Sequence, residues 1–151
     1  MSTDGLELKD AVRTLLLLLP RVVGRLKRAT PPPELAGFTL APRHLSLFSY
    51  LLFDGPMPVN ELAKRLQVAP ATVSLMVGEL SRQGILERRE DEADRRRTIV
   101  SIPANRRGAV ENWVASAARA WHAALEPLSP EQRRLFVETL GVFERELNRD
   151  G

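Results

Sequence analysis

A mainly α chain carrying one small β-wing is what three observations predict. Apolar residues recur at three- and four-residue spacing along most of the 151 residues, the breaks in that rhythm fall at proline and glycine, and one stretch alone, 85–102, changes to a short apolar start and an alternating end. The chain is long enough for one ordinary globular domain spanning 1–151, and a core of that size folds without disulfide or metal staples.

The elements follow in order. Asp4 is the expected N-cap of a first helix, with Glu7 reaching back as the capping-box acid. Leu8, Val12, Leu15, Leu19, Val22, Val23 and Leu26 keep its period, and Arg25, Lys27 and Arg28 suit the negative end of its dipole. Pro20 either kinks this helix or begins a second one at the N1 position; the residues allow both. Residues 29–41, with Pro31-Pro32-Pro33, form a connecting loop. A second helix starts at Pro42, buries Leu45, Phe48, Leu51 and Leu52, and stops at Asp54-Gly55-Pro56. A third runs from Val59 to Leu66 with Leu62, Ala63 and Leu66 inward. After the turn Gln67-Val68-Ala69, Pro70 opens a fourth, whose Val73, Met76, Val77 and Leu80 face inward and which Gly84 ends.

The next segment reads as a hairpin. Ile85 to Arg89 and Thr98 to Ile102 are its strands, and Glu90 to Arg97, charged except at Ala93, is its tip. A long fifth helix follows with Asn105 as N-cap and Val110, Trp113, Val114, Ala117, Ala120, Trp121 and Leu125 along it. Ser129-Pro130-Glu131-Gln132 is a capping box with proline at N1, opening a last helix striped by Leu135, Phe136, Leu140, Phe143 and Leu147.

Composition narrows the chemistry. There is no cysteine, so thiolate metal sites, thiol redox sensing and cysteine nucleophiles are excluded, and two distant histidines, His44 and His122, make no metal cluster. No glycine-rich phosphate loop or paired carboxylate-histidine spacing is present, so no enzyme activity, metal or cofactor is expected. The apolar run from Leu15 to Pro20 is far short of the roughly 18 residues of a membrane span, and the acidic start Met-Ser-Thr-Asp-Gly-Leu-Glu is unlike a signal peptide, so a cytoplasmic protein is expected. Of the 22 basic residues only Lys9, Lys27 and Lys64 are lysines, leaving 19 arginines, the side chain suited to bidentate phosphate and guanine contacts. Eight of these fall between Arg82 and Arg107 against five acids, so this one segment matches the whole chain's net +3.

Two short helices joined by a tight turn, followed by a basic hairpin, make a winged helix-turn-helix, in which the second helix can enter a major groove while the hairpin tip reaches the neighbouring minor groove or backbone. The residues that fill this frame resemble a known family. Glu61-Leu62-Ala63, Val68-Ala69-Pro70-Ala71-Thr72-Val73-Ser74, Leu80, Gly84-Ile85-Leu86, Arg88-Arg89, Asp91, Asp94-Arg95-Arg96 and Val100-Ser101-Ile102 are similar to the multiple antibiotic resistance regulator (MarR) family over nearly the whole chain. The most specific match is the family's Asp-x-Arg wing motif at Asp94 and Arg96.

The resemblance implies a homodimeric, DNA-binding transcriptional regulator, expected to be a repressor of a pseudo-palindromic operator relieved by a small ligand. It implies that residues 4–41 and 105–149 hold dimerisation helices around a DNA-binding lobe at 42–104. Arg96 then probes the minor groove and Asp94 holds its guanidinium, while Arg88, Arg89, Arg95 and Arg97 serve as phosphate contacts or solvated strand residues. The fourth helix departs from the family: Ala69, Ala71, Leu75 and Gly78 stand where serine, arginine or aspartate is common. Major-groove readout is therefore expected from Thr72 and Ser74 hydroxyls with Ala71 and Leu75 against thymine methyls, and Arg82 on the backbone. Leu75 buried in part in the core is the alternative.

By analogy with the family, an aromatic or anionic effector is expected in a crevice lined by Arg13, Arg43, His44, Phe48, Tyr50 and Trp113. His44 is either a ligand donor or proton switch, or a structural residue near a helix start. A competing view of the chain is an architectural or protein-interaction module that keeps the fold without operator recognition, and the low polarity of the fourth helix is what favours it.

Overall fold

The structure, a computed structural model, describes residues 5–149. Its elements run α1 (Leu8–Arg28), a 3-10 turn (Pro33–Leu35), α2 (Pro42–Asp54), β1 (Met57–Pro58), α3 (Val59–Leu66), α4 (Pro70–Arg82), β2 (Glu87–Glu90), β3 (Thr98–Ser101), α5 (Ala104–Leu125) and α6 (Pro130–Arg149). The strands form one antiparallel sheet in the order β1-β3-β2, so the predicted class, helical with a small wing, is what the chain adopts. Two compact units divide it, 1–112 and 113–151, the division falling inside α5.

In the first unit α1 begins three residues later than its sequence signals predict. Asp4 lies outside the described residues; Glu7 stands at the N-cap position itself rather than at the third turn position of a capping box, and its side chain makes no capping hydrogen bond. Pro20 lies inside one continuous helix, which settles the choice the residues left open against a split. A proline removes a single ladder donor, and the residues on both sides are good enough helix formers to carry the element through.

The core sits among α2, α3, α4 and the sheet. Leu47, Phe48, Leu62, Val73, Leu80, Ile85 and Val100 are all fully enclosed, each worth about 1.5–3 kcal/mol of transfer free energy. In α2 the buried face is His44, Leu47, Phe48 and Leu51, one step round from the expected Leu45 and Leu52, which are half-buried. Leu66 of α3 is likewise half-buried rather than inward. The loop at 29–41 is not featureless: the 3-10 turn delivers Leu35 into the core with no exposed surface.

The turn between α3 and α4 hinges on Gln67, which takes a left-handed conformation (φ 56°) and lets the Val68 amide donate to the Ala63 carbonyl. After α4, Gly84 (φ 81°) reverses the chain. The first wing strand starts two residues later than predicted. Ile85 and Leu86 are buried, but both of their amides donate to the Leu80 carbonyl, at 3.1 and 3.4 Å, so they wrap the end of α4 instead of joining the sheet. The ladder then pairs Glu87 with Ser101, Arg88 with Val100, Arg89 with Ile99 and Glu90 with Thr98. Ile102 lies beyond β3, which ends at Ser101. The strand β1 adds to the two wing strands the sequence predicts; it pairs Met57 with Val100 and Pro58 with Ile99.

α5 starts at Ala104, so Asn105 is inside its first turn and not its N-cap; the Pro103 carbonyl accepts from the Arg106 and Arg107 amides instead. In the second unit the predicted capping box is present in full. The Gln132 amide donates to Ser129 Oγ at 3.2 Å and the Ser129 amide donates to Gln132 Oε1 at 2.9 Å. Arg133 closes the end of α5 by donating to the Leu125 and Glu126 carbonyls, both at 2.8 Å. Trp121 meets Phe136 with ring centroids 5.7 Å apart.

Candidate nucleic-acid interface

α4 owes its orientation to a divided surface. Val73, Met76, Val77 and Leu80 anchor it in the core, which turns Ala71, Thr72, Ser74 and Leu75 outward. Leu75 is 70% exposed, which removes the alternative of a core role for it. Gly78, by contrast, is buried and so does not belong to the exposed face on which the sequence placed it. A β-carbon there would lie 3.5 Å from Arg82 Nη1, so the Arg82 side chain runs back along its own helix. The helix therefore offers two hydroxyls and two small or branched apolar groups side by side, a surface able to accept or donate single hydrogen bonds and to meet methyl groups.

The wing tip is built by its own carboxylates. Asp91 Oδ1 accepts from the Ala93 amide at 3.0 Å, and Asp94 Oδ1 accepts from the Arg96 amide at 3.1 Å, two side-chain turns in succession. The Asp91 amide donates to the Arg97 carbonyl, and the Arg97 amide to the Asp94 carbonyl, closing the loop. Asp94 then does a second job. Its Oδ1 also accepts from Arg96 Nε at 3.1 Å and its Oδ2 from Arg96 Nη2 at 3.4 Å, while the arginine side chain remains 92% exposed. The guanidinium is thus oriented without being covered. That bond, then the Arg96 amide, hold the Asp94 carboxyl below the usual aspartate range, so it stays ionised in ordinary buffers. Arg88, Arg89, Arg95 and Arg97 are exposed around it.

The six residues expected to line an effector crevice do not form one group. Arg43 and His44 share a cavity of about 570 Å³ with Thr39, Leu40, Ala41, Glu79, Arg82 and Gln83. Phe48 is core, with no exposed surface. Tyr50 donates its hydroxyl to the Arg65 carbonyl at 3.2 Å, facing α3. Arg13 lies on α1, outside that cavity, and Trp113 belongs to the second unit. The sequence missed Thr39, Glu79 and Gln83. Gln83 Oε1 accepts from the Thr39 amide at 2.7 Å, a contact across 44 positions for which no local pattern exists.

A short helix, a left-handed turn, a second helix with an outward polar-apolar face and a wing tipped by an oriented arginine define a winged helix-turn-helix protein. A family model described as the MarR family matches residues 36–97. The HTH-type transcriptional repressor YetL of Bacillus subtilis is 31% identical over 99 residues, which are 63% of this chain and 59% of that protein. The match thus spans about three fifths of the relative's length. Among solved structures, the MepR–DNA complex of S. aureus superposes with a TM-score of 0.66 at 22% identity, covering 87% of this chain and 96% of that one. The regulator PcaV of Streptomyces coelicolor, in complex with its natural ligand, also gives 0.66, at 18% identity over 96% and 98% of the two chains. At these identities the two structures speak to the fold.

Proposed function

We propose that this chain is a transcriptional regulator that binds duplex DNA as a homodimer, and that it acts as a repressor released by a small ligand. The observation that carries the DNA-binding half is the wing tip, where one carboxylate fixes both the backbone and the guanidinium of Arg96 and leaves the cation exposed. A narrow minor groove concentrates negative potential, and a pre-oriented arginine enters it with little loss of side-chain freedom. Thr72, Ser74, Ala71 and Leu75 on α4 would face the adjacent major groove, with Arg82, Arg88, Arg89, Arg95 and Arg97 near phosphates.

Dimerisation is supported by two helices without a buried residue. α1 leaves Leu8, Leu15 and Leu26 at 80, 49 and 56% exposure, and α6 leaves Leu135, Phe143 and Leu147 at 66, 46 and 60%. A second copy would cover them, with 4–41 and 105–149 as the dimerisation segments around a reading lobe at 42–104. A two-fold dimer then addresses half-sites about 34–36 Å apart. Repression is supported by the description of YetL, and the binding of a ligand by that of PcaV, which is described in complex with its natural ligand. A cytoplasmic location goes with this role.

Fluorescence anisotropy on DNA from upstream of the protein's own gene tests the reading. Arg96→Ala is expected to weaken binding by about 1–3 kcal/mol and to lower the salt slope by about one. Unchanged affinity and slope would remove Arg96 from the interface. The apolar face of α4 favours one other reading, an architectural module, and the two part at physiological salt: a repressor keeps a large preference for its operator over random DNA, an architectural binder does not.

A further inference from the structure

The hydroxyl groups of the chain are not equally available. Thr14, Ser49 and Thr139 donate theirs to the carbonyls of Asp10, Leu45 and Leu135, one turn back on their own helices. Ser129 Oγ accepts within the capping box of α6, and Ser81 Oγ is buried. Thr98 is placed differently. It is exposed at the first position of β3, and no hydrogen bond holds its hydroxyl among the described residues. The outer strand β1 pairs only with Ile99 and Val100, so Thr98 has a single cross-strand partner, Glu90 of β2.

What precedes Thr98 is as particular as its position. Arg95, Arg96 and Arg97 occupy the three places immediately before it, and all three are exposed. Of all the serines and threonines in the chain, only Thr98 follows three basic residues in a row. The exposed hydroxyls of α4, Thr72 and Ser74, follow Ala69-Pro70-Ala71 and Ala71-Thr72-Val73, which carry no charge. Thr30 follows Lys27-Arg28 but has Ala29 directly before it and Pro31 directly after, and Ser46, with Arg43 three places earlier, lies inside α2. A run of exposed arginines ahead of a free hydroxyl is a handle for an acidic peptide-binding cleft, because each guanidinium fork pairs with a carboxylate through charge-assisted hydrogen bonds. Charge patterns of this kind are how many protein kinases choose their acceptor.

We propose that Thr98 is a phosphorylation site, modified by an arginine-directed protein serine/threonine kinase that reads Arg95, Arg96 and Arg97 on its N-terminal side. In that step Thr98 Oγ1 attacks the γ-phosphorus of Mg-ATP; the new O–P bond forms as the bond to the β,γ-bridging oxygen breaks, the hydroxyl proton passes to the kinase's base, and ADP leaves. Position dictates the consequence. From Glu87 to Arg97 the wing holds five arginines against five acids, and a phosphothreonine adds about −1.5 to −2 charges at neutral pH, so the wing turns negative. The added group stands two residues from Arg96, where it competes with Asp94 for the guanidinium, and opposite Glu90, which it repels across the ladder. A wing so charged is pushed away from DNA phosphates. The modification stands independently of the DNA-binding reading; only this consequence rests on it.

The test is incubation of the full-length chain with Mg-ATP and the catalytic subunit of cAMP-dependent protein kinase, an arginine-directed enzyme, with the modified residue mapped by tandem mass spectrometry. One phosphoryl group on Thr98 is expected. It should be absent from Thr98→Val, which keeps the β-branched shape of the strand residue, and should appear at least about tenfold more slowly in Arg95→Gln. No incorporation, incorporation confined to Thr30 or Ser46, or an equal rate in Arg95→Gln would overturn the site. For the consequence, the phosphorylated chain is expected to bind duplex DNA at least about tenfold more weakly than the same preparation after phosphatase treatment, and equal affinity would overturn the regulatory half. If the untreated chain does not bind DNA at all, the wing reading fails while the mapped phosphate on Thr98 still supports the site.

Discussion

The lobe formed by α2, α3, α4 and the wing and the outer helices α1 and α6 are written in the same three-and-four apolar rhythm, yet they finish in opposite environments. Leu47, Leu62 and Leu80 have no exposed surface, whereas Leu8 and Leu135 are 80 and 66% exposed. Periodicity fixes which side of a helix is apolar and leaves open what will cover it. In the lobe the cover is supplied by other elements of the same chain, some of them distant in sequence. α1 and α6 have no buried residue among those described, and the proposed dimer would cover them.

That contrast can be tested with a graded set of substitutions. Phe48→Ala, in the middle of the lobe, is expected to cost about 3–5 kcal/mol in denaturant unfolding. Leu15→Ala on α1 comes next: if a partner covers it, the loss approaches the 2 kcal/mol or so of a core leucine and light scattering detects more monomer on dilution, whereas a truly solvated leucine would move stability by less than about 0.5 kcal/mol. Ser129→Ala is expected to cost about 1 kcal/mol, because the capping box of α6 is complete within the chain whether or not its face is covered. The smallest effect is with pH. His44 has a lowered pKa in the fold, so its contribution is fully present above about 6.5 and is lost as pH falls from there through the lowered value; His44→Phe should flatten that part of a stability-against-pH curve.

Legibility in the sequence followed the range of the interaction. The capping box at Ser129, the proline start of α4 and the Asp94–Arg96 pair were readable because their partners lie two or three residues apart. What escaped were contacts across long separations: Leu35 delivered to the core by a proline-led turn, the two-residue strand at Met57 found only by its pairing with Val100, and the Gln83–Thr39 clasp. Ile85 and Leu86 misled in an instructive way. They have strand-like residues, but Leu80 takes their amides, so a competing local hydrogen bond outweighed propensity. The candidate crevice was only partly legible for the same reason, since Arg43 and His44 find their companions on a helix some 35 residues further along.

The small sheet has one more consequence. Its outer strands are β1, where Pro58 has no amide to offer, and β2, whose four residues Glu87, Arg88, Arg89 and Glu90 are all charged and exposed. Neither margin is a template onto which a stray extended segment could zip, so even at high concentration the wing resists growing into a shared ribbon or fibril seed.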